Sequence, residues 1–211
     1  MTKAKSRGSR RSRGGSGGSF VGRMINRPAT NSTNNALLWG IAWLIIGAIA
    51  SWHFQFVPTS MIAYTTSGYI PLIWHVAIAL AIWVAYGVVY FGFGVIRNRR
   101  AATVELFGRM LFAHWPITLL LVPGILLDRY AYATFMSNPG VAYNAYPVEA
   151  TIMAVVAVVV GVWTIYWGYK AFARATQRPG LLTVLLYIMA TPLAYYLSRL
   201  VLVALYKGMS W

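Results

Sequence analysis

Long hydrophobic runs separated by short polar segments dominate the pattern of this chain. The runs cover residues 36–56, 70–96, 104–127, 150–169 and 181–206. A hydrocarbon core of about 30 Å is crossed by about 20 helical residues, so each run is long enough to span a membrane. The runs do not alternate apolar and polar residues, as the strands of a membrane barrel do. The pattern therefore predicts an all-α, polytopic membrane bundle of five transmembrane helices.

Glycines and prolines within the runs predict how the helices pack. Glycine lets two membrane helices approach closely, and Gly161 and Gly168 lie one heptad apart on the same side of the fourth helix. Proline removes a backbone hydrogen bond, so we expect Pro116 and Pro123 to bend the third helix and Pro192 the fifth.

Positive charge divides unequally between the two sides of the predicted bundle. Residues 1–27 carry eight Lys or Arg and no acid, and the loops after the second and fourth runs add six more. The outer loop and the C-terminal end carry two. Because Lys and Arg concentrate on the cytoplasmic side, we expect a cytoplasmic N-terminus and an outer C-terminus. The loops predict a cytoplasmic basic face of Arg97, Arg99, Arg100, Lys170, Arg174 and Arg178.

Residues 1–35 are predicted to form a disordered basic arm, and residues 36–211 the membrane domain. The start of the arm is rich in Arg, Gly and Ser and lacks the apolar residues that a folded core needs. A Lys or Arg near an anionic membrane surface gains about 1 kcal/mol, so we expect anionic lipid as the partner of the arm and the basic loops. The net charge of +15 would suggest a nucleic-acid-binding protein if the chain were soluble. Here it follows from topology, and RNA binding by the arm is kept only as an alternative.

Two sets of charged residues lie within or beside the runs, where an ionisable group suggests a function. Glu105 and Arg109 lie four residues apart at the start of the third run, the favourable order for an ion pair, and we expect Arg109 to extend toward the cytoplasmic surface. Arg199 lies toward the outer end of the fifth run. We expect it to pair with one of the outer acids, Asp128 or Glu149, and first of all with Asp128.

Three histidines could ligate a metal or haem. His53 and His75 lie at matching depths near the outer ends of the first two helices and could form a bis-imidazole pair, although an interfacial position beside Trp52 and Trp74 also accounts for them. His114 lies deeper and precedes Pro116 by two residues, which favours a kink stabilised by polar neighbours.

Other chemistry has few candidate residues. The chain has no cysteine, which excludes disulfides and thiolate chemistry, and it has only three acidic residues. We find no paired carboxylates, no zinc-protease motif and no phosphate-binding loop. The sequence therefore predicts a protein that is not an enzyme and that requires no cofactor.

Two segments resemble a known family. Glu105-Leu106-Phe107-Gly108-Arg109-Met110-Leu111-Phe112-Ala113-His114-Trp115-Pro116 is similar to the stretch that opens the third span in bacterial members of the Yip domain (Ypt/Rab-interacting protein) family. Trp163-Thr164-Ile165-Tyr166-Trp167-Gly168-Tyr169-Lys170-Ala171-Phe172 resembles the aromatic end of the family's fourth span. The resemblance covers roughly residues 97–203 and implies five spans with an inner N-terminus and an outer C-terminus, in a bacterial cytoplasmic membrane.

Three functional hypotheses follow. The first is a Yip-like membrane protein, not an enzyme, that organises lipids, membrane-protein partners or further copies of itself. The alternative is a small permease or channel that uses Glu105, Arg109 and His114. The third is a haem subunit that uses His53 and His75.

Overall fold

A computed structural model of the chain describes residues 32–60, 63–66, 69–98 and 103–208. Five helical segments in these ranges are long and apolar enough to cross a membrane, which confirms the predicted multi-pass architecture. Almost all of the predicted arm, and both Arg99 and Arg100 of the basic face, lie outside the described residues.

The first two spans are single helices. Helix α1, Thr33–His53, begins at Ser32, whose hydroxyl accepts a hydrogen bond from the Asn35 amide and satisfies one of the free N–H groups of the first turn. Helix α2, Leu72–Arg97, follows Pro71 and ends at the charged loop.

The structure is mostly helical, as predicted, and the segment between α1 and α2 adds a short β-hairpin that the sequence did not predict. Strands β1, Phe56–Ser60, and β2, Ala63–Thr66, pair antiparallel, with Phe56 opposite Thr66. Gln55 takes a left-handed backbone conformation, with φ of 55°, between α1 and β1. The first helix therefore stops three residues before the predicted end, and Phe56 belongs to the hairpin rather than to a span.

The third span is broken, as the prolines predicted. Helix α3, Thr103–His114, is followed by a 3₁₀ segment, Trp115–Leu120, and by the short helix α4, Leu121–Leu126. Pro116 lies at the start of the 3₁₀ segment and Pro123 lies within α4. Because proline has no N–H, each of these positions loses one backbone hydrogen bond of the helical ladder, which favours the break seen here.

The predicted outer loop folds into two short helices. Helix α5, Arg129–Ser137, begins at Asp128, and helix α6, Pro139–Ala145, begins at Asn138. Both capping side chains accept hydrogen bonds from amides of the first turn, as Asp and Asn do at helix starts.

The last two spans are the longest helices. Helix α7, Pro147–Thr176, extends seven residues beyond the predicted end of the fourth span, and helix α8, Leu181–Gly208, runs through Pro192. Helix α8 packs along α2, and α3 lies between α1 and α7. Large aliphatic side chains remain exposed on the outward faces, among them Ile45, Val158 and Ile188. Such surfaces suit a lipid environment.

Candidate functional site: a polar wall between two cavities

The break in the third span places His114 in the middle of the bundle. His114 ends α3, and its Nδ1 lies 3.0 Å from the carbonyl oxygen of Met110, one turn earlier. A carbonyl oxygen can only accept, so Nδ1 carries the proton of the neutral ring and Nε2 keeps a lone pair. Nε2 is buried and has no hydrogen-bond partner among the described residues. The predicted kink is confirmed, whereas this unsatisfied nitrogen was not anticipated.

Tyr86 on α2 faces this histidine. The two rings meet edge to face, with centroids 4.1 Å apart. The Tyr86 hydroxyl is also buried, and although it lies near Tyr90 it makes no hydrogen bond of normal length and angle in the described part of the chain. Burying an unsatisfied polar group is costly, and natively buried polar groups are nearly all hydrogen-bonded. Two such atoms at one contact therefore point to a place that a ligand or water completes.

Cavities lie on both sides of this contact, which we call the Tyr86–His114 wall. The hairpin-side cavity, of about 110 Å³, lies between α1, α2, the hairpin and the broken third span. The central cavity, of about 170 Å³, lies between α2, the third span, α7 and α8. Tyr86, His114 and Ile117 line both cavities.

Hydroxyl groups complete the central cavity. Thr164 on α7 donates to the carbonyl oxygen of Val160 at 2.8 Å, and Tyr187 on α8 donates to that of Ile165 at 3.1 Å. Thr191 donates to the carbonyl oxygen of Tyr187 at 2.8 Å. Its oxygen lies 2.7 Å from the Tyr90 hydroxyl, which must therefore be the donor of that bond.

Two buried tyrosines, Tyr64 and Tyr132, lie in the region of the hairpin. Tyr64 of β2 lines the hairpin-side cavity, and Tyr132 of α5 packs on Phe56 with ring centroids 4.6 Å apart. Burial raises the pKa of the Tyr64 phenol, and it also raises the pKa of Tyr132, to which nearby Tyr64 adds. Both phenols therefore remain protonated over the physiological pH range.

The predicted Glu105–Arg109 ion pair is formed. Arg109 Nε lies 2.9 Å from Glu105 Oε1 at the start of α3. The Arg109 side chain is 4% exposed, so it is enclosed by the bundle instead of reaching the surface as expected. The pair and His114 lie on the same helix, but neither Glu105 nor Arg109 lines the two cavities.

The described members of the basic face meet at one end of the bundle. Arg97 ends α2, Lys170 and Arg174 lie in the last turns of α7, and Arg178 lies in the turn to α8. Arg174 and Arg178 are exposed, and the Lys170 ammonium lies 5.3 Å from the centre of the Tyr166 ring.

Hydrogen bonds from the end of α2 hold this surface together. Arg97 donates from Nε to the Thr183 hydroxyl at 2.7 Å and from a terminal nitrogen to the carbonyl oxygen of Arg178 at 3.2 Å. The Asn98 amide donates to the carbonyl oxygen of Thr176 at 2.9 Å. Arg97 is thus a structural clamp on the turn between α7 and α8.

The predicted pairing of Arg199 is wrong. Among the described side chains Arg199 forms no ion pair with Asp128 or Glu149. Asp128 instead accepts from the amides of Tyr130 and Ala131, at 2.7 and 3.0 Å, and so caps α5. Arg199 is exposed on α8. The Asp128 carboxylate is occupied by the free amides at the start of α5, and this capping role replaces the predicted ion pair.

The histidines of the haem hypothesis are placed differently from each other. His75 is 1% exposed, and its two ring nitrogens lie 3.1 Å from the carbonyl oxygen of Phe56 and 3.4 Å from that of Pro71. His53 is exposed beside Phe54. Ligation of iron through Nε2 of His75 would require breaking its contact with the hairpin. No cluster of three potential metal ligands occurs in the described ranges.

Sequence reasoning identified His114 but missed its partners. Tyr86, Tyr187 and Thr191 gave no signal, because aromatic and hydroxyl residues are common in membrane helices and their meeting depends on which helix faces pack together. Comparison with protein-family models, curated proteins and solved structures finds no match to this chain, so the resemblance to the Yip domain family stays a prediction.

Proposed function

We propose that this chain is a Yip-like, multi-pass protein of the bacterial cytoplasmic membrane, not an enzyme, that organises anionic lipids and membrane-protein partners at its basic end. The observation that carries the proposal is the convergence of Arg97, Lys170, Arg174 and Arg178 at one end of the bundle. The outer loop and the C-terminal end carry Asp128 and Glu149 against Arg129 and Lys207, so their charges balance, whereas the basic end is strongly positive.

The basic end is suited to bind headgroups because its charges are mounted on fixed helix ends. The Arg97 clamp ties α2 to the turn between α7 and α8. Arg174 and Arg178 project from this fixed surface and remain exposed. Each exposed cation near an anionic surface gains about 1 kcal/mol, so a few of them suffice to enrich acidic lipid around this end.

Orientation forms part of the proposal. The basic end holds the start of α1, and residues 1–27 before it carry eight further positive charges. The excess of Lys and Arg supports a cytoplasmic location for this end and an outer location for the end of α8. Partners would then meet the protein from the cytoplasmic side, in the region of the headgroups.

Native mass spectrometry of the purified full chain tests the lipid claim. Protein extracted from vesicles with equal phosphatidylglycerol and phosphatidylethanolamine should retain several-fold more of the anionic lipid. The double variant Arg174→Gln/Arg178→Gln should lose most of this preference. The same spectra report the mass of any homo-oligomer.

The matched control neutralises two cations toward the other end, as Arg199→Gln/Lys207→Gln. The control should retain the preference for phosphatidylglycerol. Equal lipid retention by the wild type and the basic-end variant, or an equal loss in both double variants, would contradict the proposal.

The second candidate function is a small permease or channel that uses Glu105, Arg109 and His114. What favours it is the pair of cavities that His114 lines, since Glu105 and Arg109 lie outside them on the same helix. It predicts a solute flux into proteoliposomes that Glu105→Gln abolishes, whereas the organising role predicts no such flux.

A further inference from the structure

We propose that the central cavity binds one small, uncharged ring molecule that carries a hydroxyl or N–H group, with that group placed between His114 Nε2 and the Tyr86 hydroxyl. The site lies within the bundle, apart from the basic end, and the inference does not depend on the function proposed above.

The hydrogen-bonding state of His114 defines the first requirement on the ligand. Because Nδ1 donates to the Met110 carbonyl oxygen, Nε2 can only accept in the neutral ring. Nε2 is buried and has no hydrogen-bond partner among the described atoms. His114 is one of the residues that line the central cavity. A ligand that satisfies it must donate a hydrogen bond.

The other polar residues of the cavity impose the same requirement. Thr164, Tyr187 and Thr191 have each committed their hydroxyl proton to a backbone carbonyl oxygen, so only their lone pairs remain. The Tyr86 hydroxyl interacts with the neighbouring Tyr90 hydroxyl but makes no hydrogen bond of normal length and angle within the described residues, so its proton can turn to a ligand. The cavity thus offers mostly acceptors and a single donor, which suits a hydroxyl that both donates and accepts.

Size and polarity define the body of the ligand. Besides its polar groups the cavity is lined by aliphatic side chains such as Ile117, Leu120 and Ile165. A dry apolar cavity of about 150 Å³ holds a benzene molecule, and the central cavity measures about 170 Å³. A six-membered ring with one polar substituent therefore matches both its volume and its lining.

The lining also specifies the charge of the ligand. No Asp, Glu, Lys or Arg lines the central cavity in the described part of the chain. An ion at this depth would lack a counter-charge, which is costly in a membrane interior. A neutral phenol, cyclic alcohol or hydroquinone-type ring fits the site. Such a ring can come from the aqueous phase or be carried within the bilayer on a lipid chain.

Fluorine NMR on the full chain in nanodiscs tests the site with two matched probes. 4-Fluorophenol carries the hydroxyl and fluorobenzene lacks it. With empty nanodiscs as the reference for partitioning into lipid, the wild type should bind 4-fluorophenol more tightly than fluorobenzene. The loss of one neutral hydrogen bond corresponds to about 3- to 10-fold in affinity. His114→Leu and Tyr86→Phe should each weaken 4-fluorophenol by that factor and leave fluorobenzene unchanged.

Two glycine variants separate loss of the cavity from loss of the fold. Gly161 lines the cavity and a Cβ there meets no atom within 4 Å, so a side chain can begin at this position and Gly161→Leu should occupy part of the cavity. Gly92 is equally open and lies outside the cavity lining, which makes Gly92→Leu the control. Gly161→Leu should weaken both probes, whereas Gly92→Leu should weaken neither.

The same preparation distinguishes the two sources of the ligand. A ring alcohol on a lipid chain that is extracted with the wild type and lost in Gly161→Leu indicates the bilayer. Binding of 4-fluorophenol to a wild type that carries no such lipid indicates the aqueous phase. The inference is overturned if the wild type binds 4-fluorophenol no better than empty nanodiscs do. It is also overturned if folded His114→Leu and Tyr86→Phe proteins both bind it as the wild type does.

Discussion

The imidazole Nε2 of His75 lies 3.1 Å from the carbonyl oxygen of Phe56 and joins the first turns of α2 to the hairpin. His75 is buried, with 1% of its surface exposed, and Phe56 is equally enclosed. The hairpin is short, and two paired strands are marginal without further packing. This bond is therefore one of the contacts that hold the hairpin on the bundle.

Substituting His75 by Leu should loosen the hairpin. The change removes a donor and leaves a buried carbonyl oxygen unsatisfied, which costs about 1–3 kcal/mol. Hydrogen exchange of the amides of Phe56, Val57 and Thr59 should become faster. The exposed His53, changed to Leu, is the control and should leave these exchange rates as they are. Unchanged exchange in His75→Leu would contradict the anchoring role.

Removing the carboxylate that faces Arg109 should destabilise the start of α3. Breaking a buried ion pair costs about 3 kcal/mol or more, and the Arg109 side chain is 4% exposed. We expect Glu105→Gln to lower the thermal unfolding temperature in detergent. Arg174→Gln, at an exposed position of the same end, should change the free energy of unfolding by less than about 0.5 kcal/mol. Equal unfolding temperatures for Glu105→Gln and the wild type would show that the pair contributes nothing.

The two glycines that lie a heptad apart on α7 should respond differently to alanine. A Cβ at Gly168 would collide with the Tyr187 hydroxyl, whereas a Cβ at Gly161 meets no atom within 4 Å. Overpacking costs about 1–3 kcal/mol, so Gly168→Ala should be destabilised by that amount. Gly161→Ala should be neutral or slightly stabilised, since alanine favours helix by about 1 kcal/mol.

Addition of Tyr187→Phe to Gly168→Ala supplies the internal check. Removal of the hydroxyl oxygen should restore part of the lost stability, measured as the coupling in a double-mutant cycle. Purely additive effects would mean that the collision at Tyr187 is not the cause.

High pH should destabilise the part of the bundle that contains the hairpin. Burial raises the pKa of Tyr64 and of Tyr132 above the ordinary value. The unfolded chain therefore loses these protons at a lower pH than the folded chain does, and the stability they provide is lost as pH rises above about 10. The double variant Tyr64→Phe/Tyr132→Phe should show a shallower decline in unfolding temperature between about pH 9 and pH 11. An identical decline in both proteins would contradict this assignment.

The membrane architecture was predictable because hydrocarbon thickness imposes a length that hydrophobic runs reveal directly. The break after His114 was predictable for a similar reason, since Pro116 removes a backbone donor whatever surrounds it. The Glu105–Arg109 pair followed from spacing on one helix. These features depend on local sequence.

The features that were missed depend on tertiary contacts or on a competing local role. The hairpin lies in a stretch that contains Pro58, which weakens a strand prediction, and it is held by His75 from another element. Asp128 was predicted to pair with Arg199, although a helix-capping residue before Arg129 is itself a helix-start signal. The Tyr86–His114 wall lies where two helices meet, and no periodic pattern in the sequence identifies which faces of these helices are in contact.

The most direct test of the central claim is to determine which side of the membrane the basic end faces. The chain has no cysteine, so single cysteines can be introduced without a background signal. Arg178 and Lys207 are both exposed. Arg178 lies in the turn before α8, and Lys207 lies near the far end of α8. In intact cells a membrane-impermeant maleimide should label Lys207→Cys, and it should label Arg178→Cys only after the membrane is opened. Labelling of Arg178→Cys and protection of Lys207→Cys in intact cells would contradict a cytoplasmic basic face.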